Sequence, residues 1–313
     1  MRKVLLGVAL LAVLAAACGE DTTTSSSPAG ETGSSTSSST SEAPATAADC
    51  ATTATFVTPG QLTIGTDSPA YPPYFQGGTE KGSEWELNDP NTGEGFESAI
   101  AYEIAARLGF SEDQVVWVVV PWAQSFAPGP KSFDFDINQT AFSNKRAEQA
   151  DFSESYYDAN QAIVVVKGTP IAEATSIADL AQYRLATQIG TTSADLIENY
   201  IGTTAGTYQT LRDAVAAINA GQADGLVVDY PTALYMADPF VQQVKNSIVL
   251  AQFPSDAVEG GEFYGTVQGK DSTLTPCIDL ALQEMKADGT LEAITDEWLS
   301  KKTNVGEVPV WST

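Results

Sequence analysis

The sequence predicts an α/β fold class with two units in which strands alternate with helices. Strand-like and helix-like patterns alternate first over about 61–137 and again over about 161–229. Several predicted strands are short runs of β-branched residues, which are typical of buried parallel strands. Two predicted helices follow at the C-terminal end, and no repeat period is visible. Alternation of this kind favours parallel sheets covered by helices.

The first unit begins with a strand and continues with an amphipathic helix. Gln61 to Thr66 alternates like a strand, and apolar residues then recur every four positions over 96–108. Gly109 suits the end of that helix. Val115 to Val120 predicts a buried parallel strand, and Phe133 to Ile137 predicts a shorter one. The first unit is therefore of the βαβ type.

The second unit begins near Gln161 and carries three predicted strands and two predicted helices. Its strands are Ala162 to Val166, Arg184 to Gln188 and Gly225 to Val228, and its helices are Ser193 to Ile201 and Leu211 to Ala220. The remaining chain contains a strand-like run, Ile248 to Phe253, and two helices, Leu274 to Ala287 and Leu291 to Leu299. Between those helices, Gly289 is expected at a helix end and Thr290 at a helix start.

Composition excludes several classes of function. The 313 residues suffice for one large or two medium domains. Because 40 Asp and Glu face 15 Lys and Arg, the formal charge of −25 disfavours nucleic-acid binding. The absence of His excludes His-based triads and His metal sites, and the three Cys form no CxxC pair. No metal or cofactor is expected, and catalysis would depend on carboxylates, hydroxyls or Lys.

The N-terminal segment predicts export and attachment to a membrane. Met1 to Lys3 is basic, and the apolar run Val4 to Ala17 has 14 residues, too few for a helix that spans a bilayer. Residues 1–17 are therefore expected to be a signal peptide. Small residues precede Cys18 and resemble the lipobox at which bacterial lipoproteins are cleaved and acylated, although Ala15 stands where that motif prefers Leu. The alternative is ordinary secretory cleavage beside a cysteine.

A spacer is expected from the lipidated Cys18 to residue 49. Within it, 15 of the 20 residues from Thr22 to Ser41 are Ser or Thr. Such a segment buries too little apolar surface to offset the entropy of ordering it, so it is expected to act as a flexible tether. The folded body would then be held at the extracellular face of the cell membrane.

The two remaining cysteines, Cys50 and Cys277, lie near the two ends of the predicted folded region. In an oxidising compartment they are expected to form a disulfide. Two buried free thiols are the alternative, because the sequence gives no distance between them.

Polar residues follow the strand that ends at Ile137. Gln139, Thr140 and Ala141 lie in the loop after that strand, where ligands bind in open α/β sheets. Arg146, a few residues on, has a permanently charged planar fork that suits a carboxylate. Taken alone, an arginine after a strand is more often part of a surface ion pair.

Two sites in the second unit complete a candidate binding site. Thr191 and Thr192 follow Gly190 at the start of a helix and offer hydroxyls and backbone amides to an anion. Asp229 ends a buried strand, where its carboxylate would accept from an ammonium. Each has a simpler interpretation as a helix N-cap. Together with Arg146, they form the complement of a small zwitterion.

Aromatic residues and one further acid stand in loops after strands. Tyr71 and Trp122 are expected to stack on the apolar part of a ligand. Asp67 precedes Ser-Pro, so it is either a turn former or a partner for a basic ligand side chain. The identity of the ligand is not fixed by these residues.

Five segments occur in a recognisable order along the chain: Asp67-Ser68-Pro69-Ala70-Tyr71-Pro72-Pro73, Gly95-Phe96-Glu97-Ser98-Ala99-Ile100-Ala101, Arg146 followed by Ala150-Asp151-Phe152-Ser153-Glu154-Ser155-Tyr156-Tyr157, Gly190-Thr191-Thr192, and Asp229. This order resembles the family-three extracellular solute-binding proteins, the amino-acid receptors of bacterial ABC importers. The resemblance covers roughly residues 58–300, and several motifs in order are more specific than one motif.

The resemblance implies a two-lobed, periplasmic-binding-protein-like (type II) fold with a two-strand hinge. Lobe 1 would contain residues 50–156 and 256–313, and lobe 2 residues 160–250. The hinge crossings would lie at 156–160 and 253–256.

The resemblance also implies roles for residues. Arg146 would bind the ligand carboxylate, Thr191 and Thr192 would add donors, and Asp229 would bind the ammonium. Because Arg146 and Asp229 belong to different lobes, the ligand would bridge them and favour closure. The protein would be a monomer that delivers its ligand to an ABC permease.

The chain departs from the family pattern in two respects. Ala141 stands where many members carry a hydroxyl, so Thr140 would have to supply that hydrogen bond. Residues 76–90 form an insertion, and the segment 122–137 is longer than usual. A ligand-sensing module and a dehydratase-like enzyme are the alternative functions of this fold, and a non-catalytic receptor is favoured over both.

Overall fold

Two five-stranded sheets organise the residues that the computed structural model describes, which are 46–258, 261–300 and 308–312. The predicted signal peptide, Cys18 and the spacer before Thr46 lie outside the described residues. The strands are β1 (Leu62–Thr66), β2 (Val115–Val119), β3 (Phe135–Asp136), β4 (Ala150–Phe152), β5 (Tyr157–Asp158), β6 (Gln161–Val166), β7 (Leu185–Gln188), β8 (Gly206–Tyr208), β9 (Gly225–Asp229), β10 (Ser247–Phe253), β11 (Phe263–Tyr264) and β12 (Val267–Gly269).

The helices connect and cover these sheets. The α-helices are α1 (Ala47–Ala51), α2 (Phe96–Arg107), α3 (Trp122–Ser125), α4 (Asn144–Ala147), α5 (Ile177–Leu180), α6 (Thr192–Leu196), α7 (Leu211–Asn219), α8 (Tyr230–Ala237), α9 (Thr275–Ala287) and α10 (Thr290–Thr295). Short 3₁₀ helices occur at Pro90–Thr92, Glu112–Gln114, Pro170–Glu173 and Ser255–Ala257, and π-helical turns at Ile197–Ile201 and Asp296–Ser300. Among the described residues, no helix has the length and apolarity needed to cross a bilayer.

The first sheet has the strand order β2-β1-β3-β12-β4 and is the centre of what we call the first lobe. Strands β1, β2 and β3 are parallel, and β12 is antiparallel to both of its neighbours. The apolar stripe of α2 packs into this lobe, where Phe96, Ile100 and Ile104 are fully buried. The βαβ order expected from the sequence is therefore present.

The second sheet has the order β10-β6-β9-β7-β8 and is the centre of the second lobe. Strands β7, β8 and β9 are parallel, but β6 is antiparallel to both β9 and β10. The fully parallel sheet expected from the alternating pattern is therefore wrong for this lobe. The alternation rule applies to strands joined by crossover helices, whereas β6 reaches its sheet directly from the first lobe.

Both faces of the second sheet are buried by helices. Val164 and Leu226 belong to an apolar cluster with α7 and α8. Ile163 and Val227, the next residues along the same strands, belong to a separate cluster with α5 and α6. This division follows from the two-residue period of strand side chains and explains why these strands are apolar at nearly every position.

Two local expectations differ from the structure. Strand β2 pairs only with β1, so it is an edge strand, and Val116 is 36% exposed instead of buried as predicted. Gly289 is the N-cap of α10, with a left-handed φ of 81°, and Thr290 is its first residue. The sequence predicted Thr290 as the residue before the helix, so the predicted start of α10 was one residue too late.

The start of α2 requires glycine. Gly95 has a φ of 109°, and a Cβ atom built there would lie 2.4 Å from the carbonyl oxygen of Tyr74. No side chain fits at that distance, so the Gly-Phe-Glu order fixes how α2 meets the loop after β1.

Two antiparallel strands lie where the chain passes between the lobes. Strand β5 pairs with β11, with Tyr157 opposite Tyr264. Val258 still packs in the second lobe, so the chain returns between Val258 and Phe263, later than the predicted crossing at 253–256. The delay arises because the 3₁₀ turn Ser255–Ala257 continues along the second lobe.

The last described residues pack on the second lobe, although the sequence assigned all of 256–313 to the first. Val310 forms a parallel bridge with Gln252 of β10, and the backbone of Gln252 exchanges hydrogen bonds of 2.8 Å with Pro309 and Trp311. Val308 is buried in one apolar cluster of that lobe. Nothing in a short polar stretch ending in Val-Trp indicated which lobe it would join.

Helix α1 begins the folded body at Ala47, within the segment predicted as spacer. Cys50 of α1 and Cys277 of α9 are joined by a disulfide. The backbone N–H of Ala47 also donates to Glu284 of α9 at 2.9 Å. The two ends of the first lobe are therefore linked covalently and by packing.

Glu97 ties three parts of the first lobe together. It is fully buried in the first turn of α2. Its Oε1 accepts from the backbone N–H of Gln139 at 2.6 Å and from the hydroxyl of Tyr156 at 2.5 Å, and its Oε2 accepts from the side-chain amide of Gln139. These bonds hold Gln139 in a left-handed conformation, with φ of 47°. Burial raises the pKa of Glu97 to about 7.

Replacing Glu97 by Gln should change how stability depends on pH. Because the folded-state pKa lies above the ordinary value of 4.5, the contribution of Glu97 is fully present below pH 4.5 and is lost as pH rises through 7. Between pH 4.5 and 8, wild type should lose about 3 kcal/mol of unfolding free energy relative to Glu97→Gln. Urea unfolding of both proteins at the two pH values measures this, and parallel pH profiles would contradict it.

Removing the disulfide should destabilise the protein without changing its fold. The linked cysteines are 227 residues apart in sequence, and closing so long a loop restricts the unfolded chain. The double variant Cys50→Ala/Cys277→Ala should lose up to about 5 kcal/mol of unfolding free energy. Urea unfolding measures the loss. Adding a reductant should destabilise wild type alone, and equal sensitivity of both proteins would count against the assignment.

Candidate functional site

A cavity of about 520 Å³ lies between the two lobes. The loops after β1 and β3 line it from the first lobe, and the ends of β7 and β9 with the start of α6 line it from the second. Pockets that hold small ligands have volumes of about 300–1,000 Å³. The carboxyl ends of parallel strands from both lobes thus face one shared cavity.

Nine of the ten predicted ligand-binding residues line this cavity: Asp67, Tyr71, Trp122, Gln139, Ala141, Arg146, Thr191, Thr192 and Asp229. Thr140 does not line it. Its side chain is fully buried, and its hydroxyl lies 3.4 Å from the carbonyl oxygen of Asn138. The left-handed turn at Gln139 leaves the side chain of Thr140 in the lobe interior, so Thr140 does not replace the hydroxyl that Ala141 lacks.

Arg146 crosses the boundary between the lobes. Ser143 caps α4 by accepting from the backbone N–H of Arg146 at 3.2 Å, which fixes the start of that short helix. The guanidinium donates to the carbonyl of Ala141 at 2.5 Å and to the carbonyl of Gly190, in the second lobe, at 2.7 Å. No carboxylate of the described residues lies within ion-pair distance of it.

Two aromatic rings enclose the same guanidinium. Its central carbon lies 4.6 Å from the ring centre of Phe126 and 5.4 Å from that of Trp122. Burial lowers the pKa of Arg146 to about 10, so it remains charged at neutral pH. Trp122, predicted to stack on a ligand, therefore also stacks on the arginine.

Asp229 faces the cavity from the end of β9. Its carboxylate accepts from the backbone N–H of Thr232 at 2.8 Å and from the hydroxyl of Tyr74, which belongs to the first lobe. Burial raises the pKa of Asp229. The N-cap interpretation is therefore true of Asp229, and the same carboxylate also lines the cavity.

The hydroxyls of Thr191 and Thr192 already have acceptors in the protein. Thr191 donates to the carbonyl of Gln188 at 2.8 Å, and Thr192 donates to Glu262 at 2.8 Å. Gly190 has a left-handed φ of 76° that turns the chain toward Arg146. These hydroxyls offer oxygen lone pairs to a ligand, so the donors predicted from the sequence would have to be the backbone N–H groups of this turn.

Asp67 and Tyr71 lie on the first-lobe side of the cavity. Asp67 accepts from the backbone N–H of Ser68 at 2.8 Å, and burial raises its pKa. The ring of Tyr71 lies 6.4 Å from that of Tyr235 in the second lobe. Asp67 thus forms the turn expected of it and still presents a carboxylate to the cavity.

Glu262 also lines the cavity and was missed by sequence reasoning. It is 2% exposed, and its Oε1 accepts from the side-chain amide of Gln161 at 2.9 Å and from Thr192. Its Oε2 has no hydrogen-bond partner in the described part of the chain. Burial raises its pKa to about 7. The only sequence signal was an acid directly before the aromatic pair Phe263-Tyr264.

The described residues contain no group of three or more His, Cys, Asp or Glu side chains placed to hold a metal ion. The arrangement instead offers separate positive and negative groups that line one cavity. Such a cavity can bind a small molecule that carries both charges.

Comparison with known proteins also identifies similarity to proteins that bind small solutes. The family model of bacterial extracellular solute-binding proteins, family 3, matches residues 62–301. The ABC transporter glutamine-binding protein GlnH of Bacillus subtilis (strain 168) is 26% identical over 220 residues, which cover 69% of this chain and 77% of that protein.

Two solved structures share the fold. An ancestral arginine-binding protein bound to arginine has a TM-score of 0.61 at 27% identity, covering 76% of this chain and 98% of that one. An ancestral amino-acid-binding protein, described as a precursor of cyclohexadienyl dehydratase, has a TM-score of 0.61 at 25% identity, covering 77% and 96%. With the family model matched over most of the folded body, this chain belongs to the bacterial extracellular solute-binding proteins of family 3.

Proposed function

We propose that this protein is the extracellular substrate-binding component of an ABC importer, and that it captures an amino acid or similar small zwitterion for delivery to the permease. The observation that carries this proposal is the cavity itself, to which the first lobe contributes a guanidinium and the second lobe a carboxylate. Its relatives include binding proteins for amino acids.

Arg146 is proposed to bind the ligand carboxylate. Its two bonds to carbonyl oxygens leave further N–H groups of the fork for a bidentate contact. Carbonyl oxygens carry only partial charge, so the buried cation gains most from an anion that enters the cavity.

Asp229 is proposed to bind the ligand ammonium. The carboxylate has lone pairs beyond those used by Tyr74 and Thr232, and it faces the cavity from the opposite lobe to Arg146. A zwitterion held at both ends therefore bridges the lobes.

Contacts between the lobes support a closing motion coupled to binding. Arg146 reaches Gly190, and Tyr74 reaches Asp229. At the cavity mouth, Glu86 of the insertion pairs with Arg212 of α7 at 2.5 Å, with both side chains more than half exposed. The exposed pair contributes little by itself, so we expect ligand contacts to add to the two buried bonds in favouring the closed form.

Attachment to the extracellular face of the membrane is proposed through a lipid on Cys18. The support is the short apolar leader, the small residues before Cys18 and the Ser/Thr-rich segment that follows. A freely moving receptor tethered near its permease fits this arrangement.

Mass spectrometry of ligand released from the purified protein tests the proposed function. Thermal-shift screening of amino acids then ranks affinities, because a ligand that binds only the folded state raises the melting temperature. At least one amino acid should raise it in a concentration-dependent way. Failure of every amino acid, or recovery of a chemically altered product, would overturn the receptor proposal, and the altered product would indicate a dehydratase-like enzyme.

Replacing Arg146 by Ala should weaken binding of that amino acid by about 100-fold, or about 3 kcal/mol, because a desolvated carboxylate would lose its charged partner. Isothermal titration calorimetry measures the change. Arg184→Ala is the control, since Arg184 pairs with Asp224 on the exposed surface of the second lobe. Wild-type affinity in Arg146→Ala would remove the central contact of the proposal.

A further inference from the structure

Three acids line the cavity, whereas an amino acid with an uncharged side chain brings only one ammonium group to pair with them. Five buried or half-buried acids line it or interact electrostatically with those that do: Asp67, Glu97, Asp136, Asp229 and Glu262. In the described part of the chain, none of the five lies within ion-pair distance of a Lys or Arg. Of the two cavity-lining arginines, Arg146 is bonded to carbonyls and Arg212 is paired with Glu86.

Glu262 is the cavity-lining acid whose bonding is least complete. Oε1 has two donors, from Gln161 and Thr192, and Ser193 holds the other end of the Gln161 amide at 2.6 Å. Oε2 is buried, and no donor of the described residues reaches it. A carboxylate oxygen in that state costs free energy unless a proton or a cation meets it.

A neutral amino acid leaves this deficit unchanged. Its carboxylate adds one negative charge opposite Arg146, and its ammonium adds one positive charge opposite Asp229. Asp67 and Glu262 then still have no cation of the described residues within ion-pair distance, although Glu262 interacts electrostatically with the more distant Arg146. The cavity of about 520 Å³ has room for a ligand with a long side chain that ends in a further cation.

We propose that the cavity selects an amino acid with a positively charged side chain, and that Glu262 is the residue that sets this preference. This inference rests on the proposed function, since it assumes that the main-chain groups of the ligand occupy Arg146 and Asp229. It adds that a carboxylate on the return crossing recognises the charge of the ligand.

The position of Glu262 links recognition to the crossing between the lobes. The next residues form β11, and Phe263 accepts from the backbone N–H of Phe142 at 3.0 Å while Tyr264 bridges to Ala141. That loop carries the carbonyl that holds Arg146. A cation bound at Glu262 would therefore lie next to β11, which is bonded to the Ala141–Phe142 backbone that positions Arg146.

Calorimetry with L-arginine, L-lysine and L-glutamine tests the preference. Wild type should bind L-arginine or L-lysine at least tenfold more tightly than L-glutamine. Glu262→Gln should lose at least tenfold in affinity for the cationic ligand and change little for L-glutamine. The control Asp195→Asn should leave both affinities unchanged, because Asp195 is an exposed acid of α6 that interacts electrostatically with Arg146 but does not line the cavity.

The pH dependence gives a second measurement. Glu262 faces Arg146, Asp229, Gln161, Thr192 and Tyr264. A cationic ligand favours its ionised form, so affinity should rise with pH up to about 7 and level off above it. The rise should be steeper in wild type than in Glu262→Gln. Identical pH profiles would contradict the assignment.

Each other outcome has a defined meaning. Tighter binding of L-glutamine than of both cationic ligands would overturn the charge preference while leaving the receptor function intact. Equal loss for both ligand types in Glu262→Gln would show that Glu262 only positions Gln161 and Thr192. Binding of no amino acid at all would reject the proposed function itself.

Discussion

The burial of one guanidinium between the lobes is the constraint from which much of the site follows. Arg146 keeps its charge when removed from water, and its partners within the protein are two carbonyl oxygens and two aromatic rings. Since one of those carbonyls belongs to the second lobe, the same side chain stabilises the approach of the lobes. The two carbonyl dipoles solvate the buried guanidinium only in part. An anion bound beside Arg146 would therefore be stabilised strongly.

The acidic groups of the site, unlike the single buried arginine, come from several segments of the chain. Asp67, Asp229 and Glu262 line one cavity, and they come from the loop after β1, the end of β9 and the return crossing. The buried Glu97 holds the loop after β3 through Gln139. Hydrogen bonds from Tyr74, Gln161 and Thr192 hold these carboxylates without neutralising them. The charges that would select a ligand therefore come from both lobes and from the segment that joins them. The residues that recognise the ligand are then also residues that hold the lobes together.

The sequence was informative wherever a residue that lines the cavity lies at or just after the end of a strand. Arg146, Asp229 and the Gly190 turn were found because the carboxyl ends of parallel strands lie at one edge of a sheet. Thr140 was misplaced because the chain turns at Gln139, and that left-handed turn is held by the bonds from Gln139 to Glu97, which lies far away in sequence. Glu262 gave almost no signal, since a crossing between lobes has neither helical nor strand periodicity. The direction of β6 and the lobe joined by residues 308–312 depend on pairing between segments far apart in sequence, which local patterns do not encode.

The disulfide between α1 and α9 has a mechanical consequence. The chain enters the folded body at Thr46, and within a few residues it is bonded covalently to the longest described helix of the first lobe. For a receptor anchored through its N-terminal segment, tension on the anchor would load that covalent link before any strand of the sheet. The first lobe would then remain fixed relative to the anchor, and the second lobe, which carries Asp229, would be the one that moves to close over the bound ligand.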